Sequence, residues 1–278
     1  MAPTDPTAEV VLGLSDIEDA LLLSDEARWN QTAEDWAVFI NSGECYGIRT
    51  GDRLVASAAI LPYQGSFGWI SMVLVTADWR RRGIASGLMN RCIEAMRSRG
   101  AASLLDATPE GAMVYRQLGF RSCCGMARWR GMGLRGVSAD KASDALVSPD
   151  RAKVFGVDAR AFGGDRRFLI DGFIDRPGTI LLGDDKSYVL IRQGRRAVQI
   201  GPLVASSDAE ARELLEAALG AVSGPVIVDL LDAGAGLRPL LTSHGFEAFR
   251  TFERMILDRA DLPGMPANVM IAAGPEFG

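Results

Sequence analysis

The sequence predicts a mixed α/β protein (α+β, mixed sheet) made of two similar halves in tandem. Three observations carry that reading. Helix-like and strand-like segments are interleaved along both halves, the pattern of a layered α/β or α+β domain. The sixteen residues LDATPEGAMVYRQLGF (105–120) return without a gap as LDAGAGLRPLLTSHGF (231–246). Upstream of each stretch lies an apolar strand followed by a helix, and Arg128 and Arg254 follow the two Gly-Phe pairs at the same distance. A repeat of about 125 residues is too long for a solenoid unit and reads as a duplicated domain.

Along the first half, SDIEDALLL and TAEDWAVFI have helical patterns. Ser15 and Thr32 are expected as N-caps, and Asp35 stands three residues after Thr32, where a capping box places its acid. CYGIRTGDRLVASAAILPY reads as a hairpin turning at Thr50-Gly51-Asp52. Residues 69–76, WISMVLVT, form an apolar, β-branched strand, and residues 86–96 a helix. In the second half AVQIGPLVA is the matching strand and DAEARELLEAALG the matching helix, with Leu214, Leu215, Ala218 and Leu219 on one face. Residues 131–150, rich in Gly, Ser and Asp, are the expected linker. The chain therefore divides into 1–138, 139–262 and a C-terminal tail, 263–278.

Composition narrows the function classes. A net charge of −5 argues against a nucleic-acid surface and leaves room for a cationic substrate. No apolar run approaches the ~20 residues of a membrane helix, and MAPTDPTAEV lacks the basic start and apolar core of a signal peptide. The expectation is a cytoplasmic protein without membrane or nucleic-acid partners. Cys45, Cys92, Cys123 and Cys124 have no metal-ligand spacing. The adjacent pair reads as packed thiols rather than a disulfide or nucleophiles. His244 is the single histidine, so no Cys-His pair and no metal site is expected, and its place beside Gly245 reads as surface.

Between strand 69–76 and helix 86–96 lie Arg80, Arg81, Arg82, Gly83, Ile84 and Ala85. A strand running into a helix leaves the first helical N–H groups unpaired, and the helix dipole adds positive charge there. Gly83 lets another group approach the backbone. Together with the arginines this makes a phosphate cradle. It lacks the Lys-Ser/Thr of a P-loop and the GxGxxG fingerprint. A solvated basic turn capped by glycine fits the loop equally well when it is taken alone.

Its surroundings decide. RRRGIA fits the Arg/Gln-x-x-Gly-x-Gly/Ala signature of the GNAT acetyltransferases, with Arg80, Gly83 and Ala85 in place, and VYRQLGF resembles their Tyr-x-x-x-Gly-Phe segment about thirty residues later. RWNQTAEDW, IRQGRRAVQIGPLVA and the ending IAAGPEFG extend the resemblance over nearly the whole chain, to the GNAT type with a GNAT-like C-terminal domain. The resemblance implies acetyl-CoA as cofactor. Backbone groups of Met72, Val73, Leu74 and Val75 would then face the pantetheine arm. N–H groups of Arg81, Arg82, Gly83, Ile84, Ala85 and Ser86 would hold the pyrophosphate, with Arg80, Arg81 and Arg82 screening charge. Thr108 stands where many relatives carry Asn.

The implied activity is direct transfer of acetyl to a primary amine of a small molecule. Tyr115 is the candidate general acid for the leaving thiolate, since its ordinary pKa near 10 suits that task; a tyrosine packed on the cofactor is the plainer reading. No acid lies on strand 69–76. Asp106, Glu34 or a water chain remain as bases. Asp106 recurs as Asp232, which favours a structural task such as capping the turn after its strand. Trp29, Asn30 and Gln31 fall in the loop that lines the acceptor cleft of such folds, and helix packing fits Trp29 as well as substrate contact. The second half has SSDAEA in place of the arginine-glycine loop and Leu241 in place of the tyrosine, so it is expected to hold no cofactor. Asp165, Arg166 and Arg192 read as surface ion pairs or as groups reaching the cleft between halves. Because no strand carboxylate is present, a non-catalytic acyl-CoA sensor is the alternative to an enzyme. The acceptor's identity and the oligomeric state are not written in the sequence.

Overall fold

The computed structural model describes residues 7–64, 66–135 and 149–278. The expected boundary at 138 and most of the expected linker lie outside them, while residues 131 and 132 end a strand rather than begin a linker.

The first half runs β1 (Thr7–Val11), α1 (Ile17–Glu26), α2 (Ala33–Ser42), β2 (Glu44–Thr50), β3 (Arg53–Tyr63), β4 (Phe67–Val75), α3 (Ile84–Ser98), β5 (Ala102–Ala107), α4 (Pro109–Gln117) and β6 (Arg121–Met132). Thr32 caps α2 as a capping box: its hydroxyl accepts from the Asp35 N–H and the Asp35 carboxylate from the Thr32 N–H. Ser15 does not cap α1. A 3₁₀ turn at Leu14–Asp16 precedes the helix, and the Asp16 carboxylate takes the Gly13 N–H at 2.8 Å instead. The β2–β3 hairpin pairs Thr50 with Arg53, and its turn is relieved by Gly51 at φ 54°.

The second half repeats the plan with α5 (Arg151–Phe162), α6 (Arg167–Ile174), β7 (Ile180–Gly183), β8 (Tyr188–Arg192), β9 (Val198–Val204), α7 (Asp208–Ala221), β10 (Pro225–Leu231), α8 (Arg238–Ser243), β11 (Glu247–Leu257) and the added β12 (Val269–Ile271). All strands form one sheet in the order β1-β2-β3-β4-β5-β11-β6-β10-β12-β9-β8-β7. The halves are joined by exchange. β11, from the second half, lies between β5 and β6 of the first, and β6 in turn pairs with β10. Swapping β5 for β10 and β6 for β11 reproduces the central order, which is the mark of a two-fold duplication.

A buried ion pair sits at each exchanged contact. Arg254 on β11 grips Asp106 on β5 through two hydrogen bonds of 2.9 and 2.8 Å. Arg128 on β6 grips Asp229 on β10 at 2.7 and 2.8 Å. The counterpart of Asp106 is thus Asp229, not Asp232. The ungapped alignment misses this because a six-residue 3₁₀ segment, Asp232–Leu237, follows β10 where Thr108 follows β5. Asp232 accepts the Gly125 N–H, and Asp106 caps no turn.

Helices cover both faces. On one, Leu88, Met89, Cys92, Ile93 and Met96 of α3 meet Ile60, Ile70 and Phe120. On the other, Trp36 and Phe39 of α2 share a core with Phe162 of α5, Phe173 of α6 and Phe277. The expected tail is therefore part of the sheet and of the core between halves. Phe277 is fully buried, stacked on Phe39 at 5.0 Å and edge-on to Phe173 at 5.3 Å, because a large ring near the end of the chain is worth most when buried.

Candidate active site

β4 and β5 pair in parallel only from Phe67 to Trp69, opposite Ala102 to Leu104. Beyond that point they diverge, and the β5-facing edge of β4 from Ile70 to Val75 has no strand partner. A bulge marks the divergence. Three steps of β4, from Ser71 to Leu74, oppose two of β3, from Ala59 to Ser57. Met72 takes φ 53°, and its carbonyl accepts the Ser57 hydroxyl at 2.8 Å. Bulges at such points turn the backbone out of the ladder.

Two cavities occupy the opening and share Trp29, Val73, Thr108 and Arg250 as walls. The outer groove, about 820 Å³, is lined by Leu74, Val75, Arg80, Arg81, Gly83, Ile84, Ala85 and Ser86. Arg81 at φ 61° and Gly83 at φ 78° bend the chain into the first turn of α3. A turn that leads straight into a helix start aims backbone N–H groups at an anion, and a left-handed arginine is strained enough to point to function. Beside Gly83 the space is open, with no atom within 4 Å of where a Cβ would lie. The inner cavity, about 200 Å³, is lined by Met72, Val73, Asp106, Thr108 and Tyr115 together with Gln31, Ser71, Arg128, Phe252 and Glu276.

The expected residues divide between these walls and other tasks. Arg82 lines neither cavity; it lies over the Trp79 ring at 4.4 Å and donates to the Asp78 carbonyl. Arg80 is tied back by Nε to the Val75 carbonyl at 3.0 Å. Thr108 caps α4 by accepting from the Gly111 N–H at 3.2 Å, which leaves its hydroxyl hydrogen free to donate. Tyr115 is half-buried against Phe120, and burial pushes its hydroxyl up to about 12, with nearby Cys92 adding to the shift. Trp29 walls both cavities. Asn30 lines neither. Its amide takes the N–H groups of Arg196 and Ala197 and donates to the Ala197 carbonyl, pinning the β8–β9 loop of the second half. Asp106 lines the inner cavity with both oxygens held by Arg254, and Glu34 is exposed, away from both walls.

Arg166 and Arg192 are not at the surface. Arg166 is fully buried, bonded twice to Asp158 and once to the Gly278 carbonyl. Arg192 lies buried beside Phe173 and 3.7 Å from Glu276. Asp165 caps Arg167. Sequence reasoning passed over Ser71, Arg250 and Glu276. The signal for Glu276 was a lone acid among small and apolar residues in IAAGPEFG, a segment that has no periodicity of its own.

The second half closes the same opening. β9 and β10 pair from Val198 to Ile200, opposite Val226 to Val228, and then diverge as β4 and β5 do. Here β12 fills the gap, pairing with β9 at Val269 and Ile271 and with β10 at Ile271. At the start of α7 the Glu210 carboxylate accepts the Ser206 N–H, so the protein's own acid sits where an anion would bind. Leu241, in the tyrosine position, is fully buried.

Comparison with known proteins agrees with this geometry. The "Acetyltransferase (GNAT) family" profile matches residues 14–120, and an "Acetyltransferase (GNAT) domain" profile matches residues 154–269. The chain is 23% identical over 240 residues to the uncharacterized N-acetyltransferase YitH of Bacillus subtilis, covering 83% of this chain and 84% of that one. A candidate acetyltransferase from Pyrococcus horikoshii superposes with a TM-score of 0.81 at 22% identity, over 98% of this chain and 96% of that one. A tandem GNAT protein from the clavulanic acid biosynthesis pathway superposes with a TM-score of 0.60 at 15% identity, over 92% of this chain and all of that one. GNAT acetyltransferases use acetyl-CoA, and the open slot fits it: an unpaired strand edge leads to an anion-binding helix start with clear space beside Gly83. With one domain that keeps this slot and a second that fills it, the chain belongs to the GNAT acetyltransferase family as a two-domain member.

Proposed function

We propose that the chain moves an acetyl group from acetyl-CoA to a primary amine of a small molecule by direct transfer, with Tyr115 as general acid. The observation that carries this reading is the meeting of two cavities at Val73 and Thr108, one leading to the α3 loop and the other to Tyr115. When bound, acetyl-CoA supplies the activated thioester. Met72, Val73, Leu74 and Val75 offer their backbone edge to its arm, and the N–H groups from Arg81 to Ser86, with Arg80 and Arg81 beside them, hold its pyrophosphate. Tyr115 keeps its proton at Oη through the physiological range and gives it to the departing sulfur. Direct transfer fits the placement of the thiols. Cys123 and Cys124 line a separate cavity that shares no wall residue with the inner one, and Cys45 and Cys92 are buried.

In this reading residues up to 138 are the catalytic unit, and the second half shapes the acceptor cavity through Arg250, Phe252 and Glu276. The test is calorimetric titration with acetyl-CoA, followed by thiol release against a panel of small amines. One site per chain is expected, with release for at least one amine. Two equivalent sites would refute the assignment of the slot. Tight binding without release for any amine would favour a sensor over an enzyme.

A further inference from the structure

We infer that Glu276 receives the ammonium group of the acceptor and takes its proton, with Gln31 and Ser71 completing the amine-binding pole of the inner cavity. This rests on the reading of the chain as an N-acetyltransferase.

The segment that carries Glu276 is fixed on both sides. The Pro275 carbonyl accepts the Trp69 indole N–H at 3.0 Å, the Phe277 carbonyl accepts the Tyr63 hydroxyl at 2.8 Å, and the Phe277 ring stacks on Phe39. Between these anchors Glu276 is 7% exposed and lines the cavity with Tyr115. Its one ion-pair contact among the described residues, Arg192 at 3.7 Å, is longer than a hydrogen bond. Two further oxygens, on the lining residues Gln31 (Oε1) and Ser71 (Oγ), are buried without a hydrogen-bond partner among the described residues. Buried polar atoms without partners are rare in folded proteins and ask for an explanation. Glu276, Gln31 and Ser71 line the same cavity, and their oxygens are the acceptors that the three N–H donors of a protonated primary amine require.

The neighbouring charges leave Glu276 free for this task. Arg128, on β6, is engaged by Asp229, and Asp35, on α2, by Arg176. Among the described residues, Arg192 on β8 is the cation left facing it. Burial and, less, Asp35 raise the Glu276 carboxyl, against the lowering effect of Arg192, Arg128 and a hydrogen bond from the Gln31 side chain, which suits a group that must hold a proton for part of a cycle. In the step itself an N–H bond of the ammonium breaks and an O–H bond forms on Glu276. The amine keeps the electron pair as a neutral nucleophile, and the carboxyl later returns the proton to solvent.

The test uses the full chain with acetyl-CoA and four probe amines, butylamine, 1,4-diaminobutane, glycinamide and lysine, read by thiol release. For the wild type, kcat/KM should be level across neutral pH. Glu276→Gln should leave acetyl-CoA affinity unchanged by calorimetry. It should lower kcat/KM at pH 7 by about 10²–10³-fold and weaken amine binding to the CoA-bound protein at least tenfold. Its kcat/KM should then climb tenfold per pH unit toward each amine's own pKa, ~10 for the alkylamines and ~8 for glycinamide. A variant with a parallel profile and a rate within threefold of wild type overturns the assignment while leaving the acetyltransferase reading intact. Wild type that binds acetyl-CoA but acetylates none of the probes refutes both. Should Glu276→Gln fail to fold, the same comparison between Arg192→Gln and Arg192→Gln/Glu276→Gln decides by the same criteria.

Discussion

Burial of Tyr115 against Phe120 raises its hydroxyl to about 12, and that shift has a consequence for turnover. A general acid works in its protonated form, so a raised value extends its range toward alkaline pH. Once the acceptor is saturating, kcat should show no loss from tyrosine ionisation below about pH 11. Tyr115→Phe keeps the ring and its packing and removes only the proton. It should lower kcat by about 10²–10⁴-fold with acetyl-CoA affinity within threefold, as measured by steady-state kinetics and calorimetry; an unchanged kcat would make Tyr115 a packing residue. Gly83 predicts the opposite split. Its φ of 78° and the clear space beside it mean that Gly83→Asp strains the loop and sets a carboxylate beside the phosphate-binding N–H groups. Acetyl-CoA binding should then be lost in calorimetry while the melting temperature changes little. Both residues were legible in the sequence because their chemistry is local: a glycine before a helix, and a tyrosine four residues before a Gly-Phe turn. Glu276 was not, because nothing near it in the chain says that it lines the same cavity as Tyr115.

At the scale of elements, the exchanged strands carry the strongest test. Arg254 and Asp106 tie β11 to β5 with side chains 7% and 0% exposed. Removing one partner of such a pair leaves an uncompensated buried charge, typically at a cost of 3–5 kcal/mol. Arg254→Met should therefore destabilise the protein by about that amount in a denaturant titration, whereas replacing both partners by apolar residues should recover much of the loss. The periodic elements could be read from sequence. The capping box at Thr32, the hairpin at Gly51 and the α7 face at Leu214, Leu215, Ala218 and Leu219 all declare themselves within a few residues. The sequence repeat identified the duplication but misassigned Asp232, since the six-residue 3₁₀ segment after β10 shifts the strand against the helix. β12 escaped notice altogether. Three residues are too few for a period, and the strand exists only because β9 and β10 leave a gap for it.

For the whole molecule, the exchange makes each half depend on the other. Residues 1–138 hold the α3 loop and Tyr115 but lack β11, so β5 and β6 would each present an unpaired edge, a template for aggregation. That fragment should fail to give a cooperative melting transition or to bind acetyl-CoA, and co-expression with residues 149–278 should restore both. A soluble, binding-competent fragment would show that the exchange is dispensable. The order in which the chain is made gives this dependence a further meaning. On the ribosome the slot-bearing half emerges first, yet the ladder beside β5 stays open until residue 257 has been synthesised. Domains usually fold as units, the N-terminal one first; here the first half must wait, exposed, for the last part of the second. Holding factors that shield strand edges during synthesis should therefore matter more for the yield of this protein than for that of two independent domains in series.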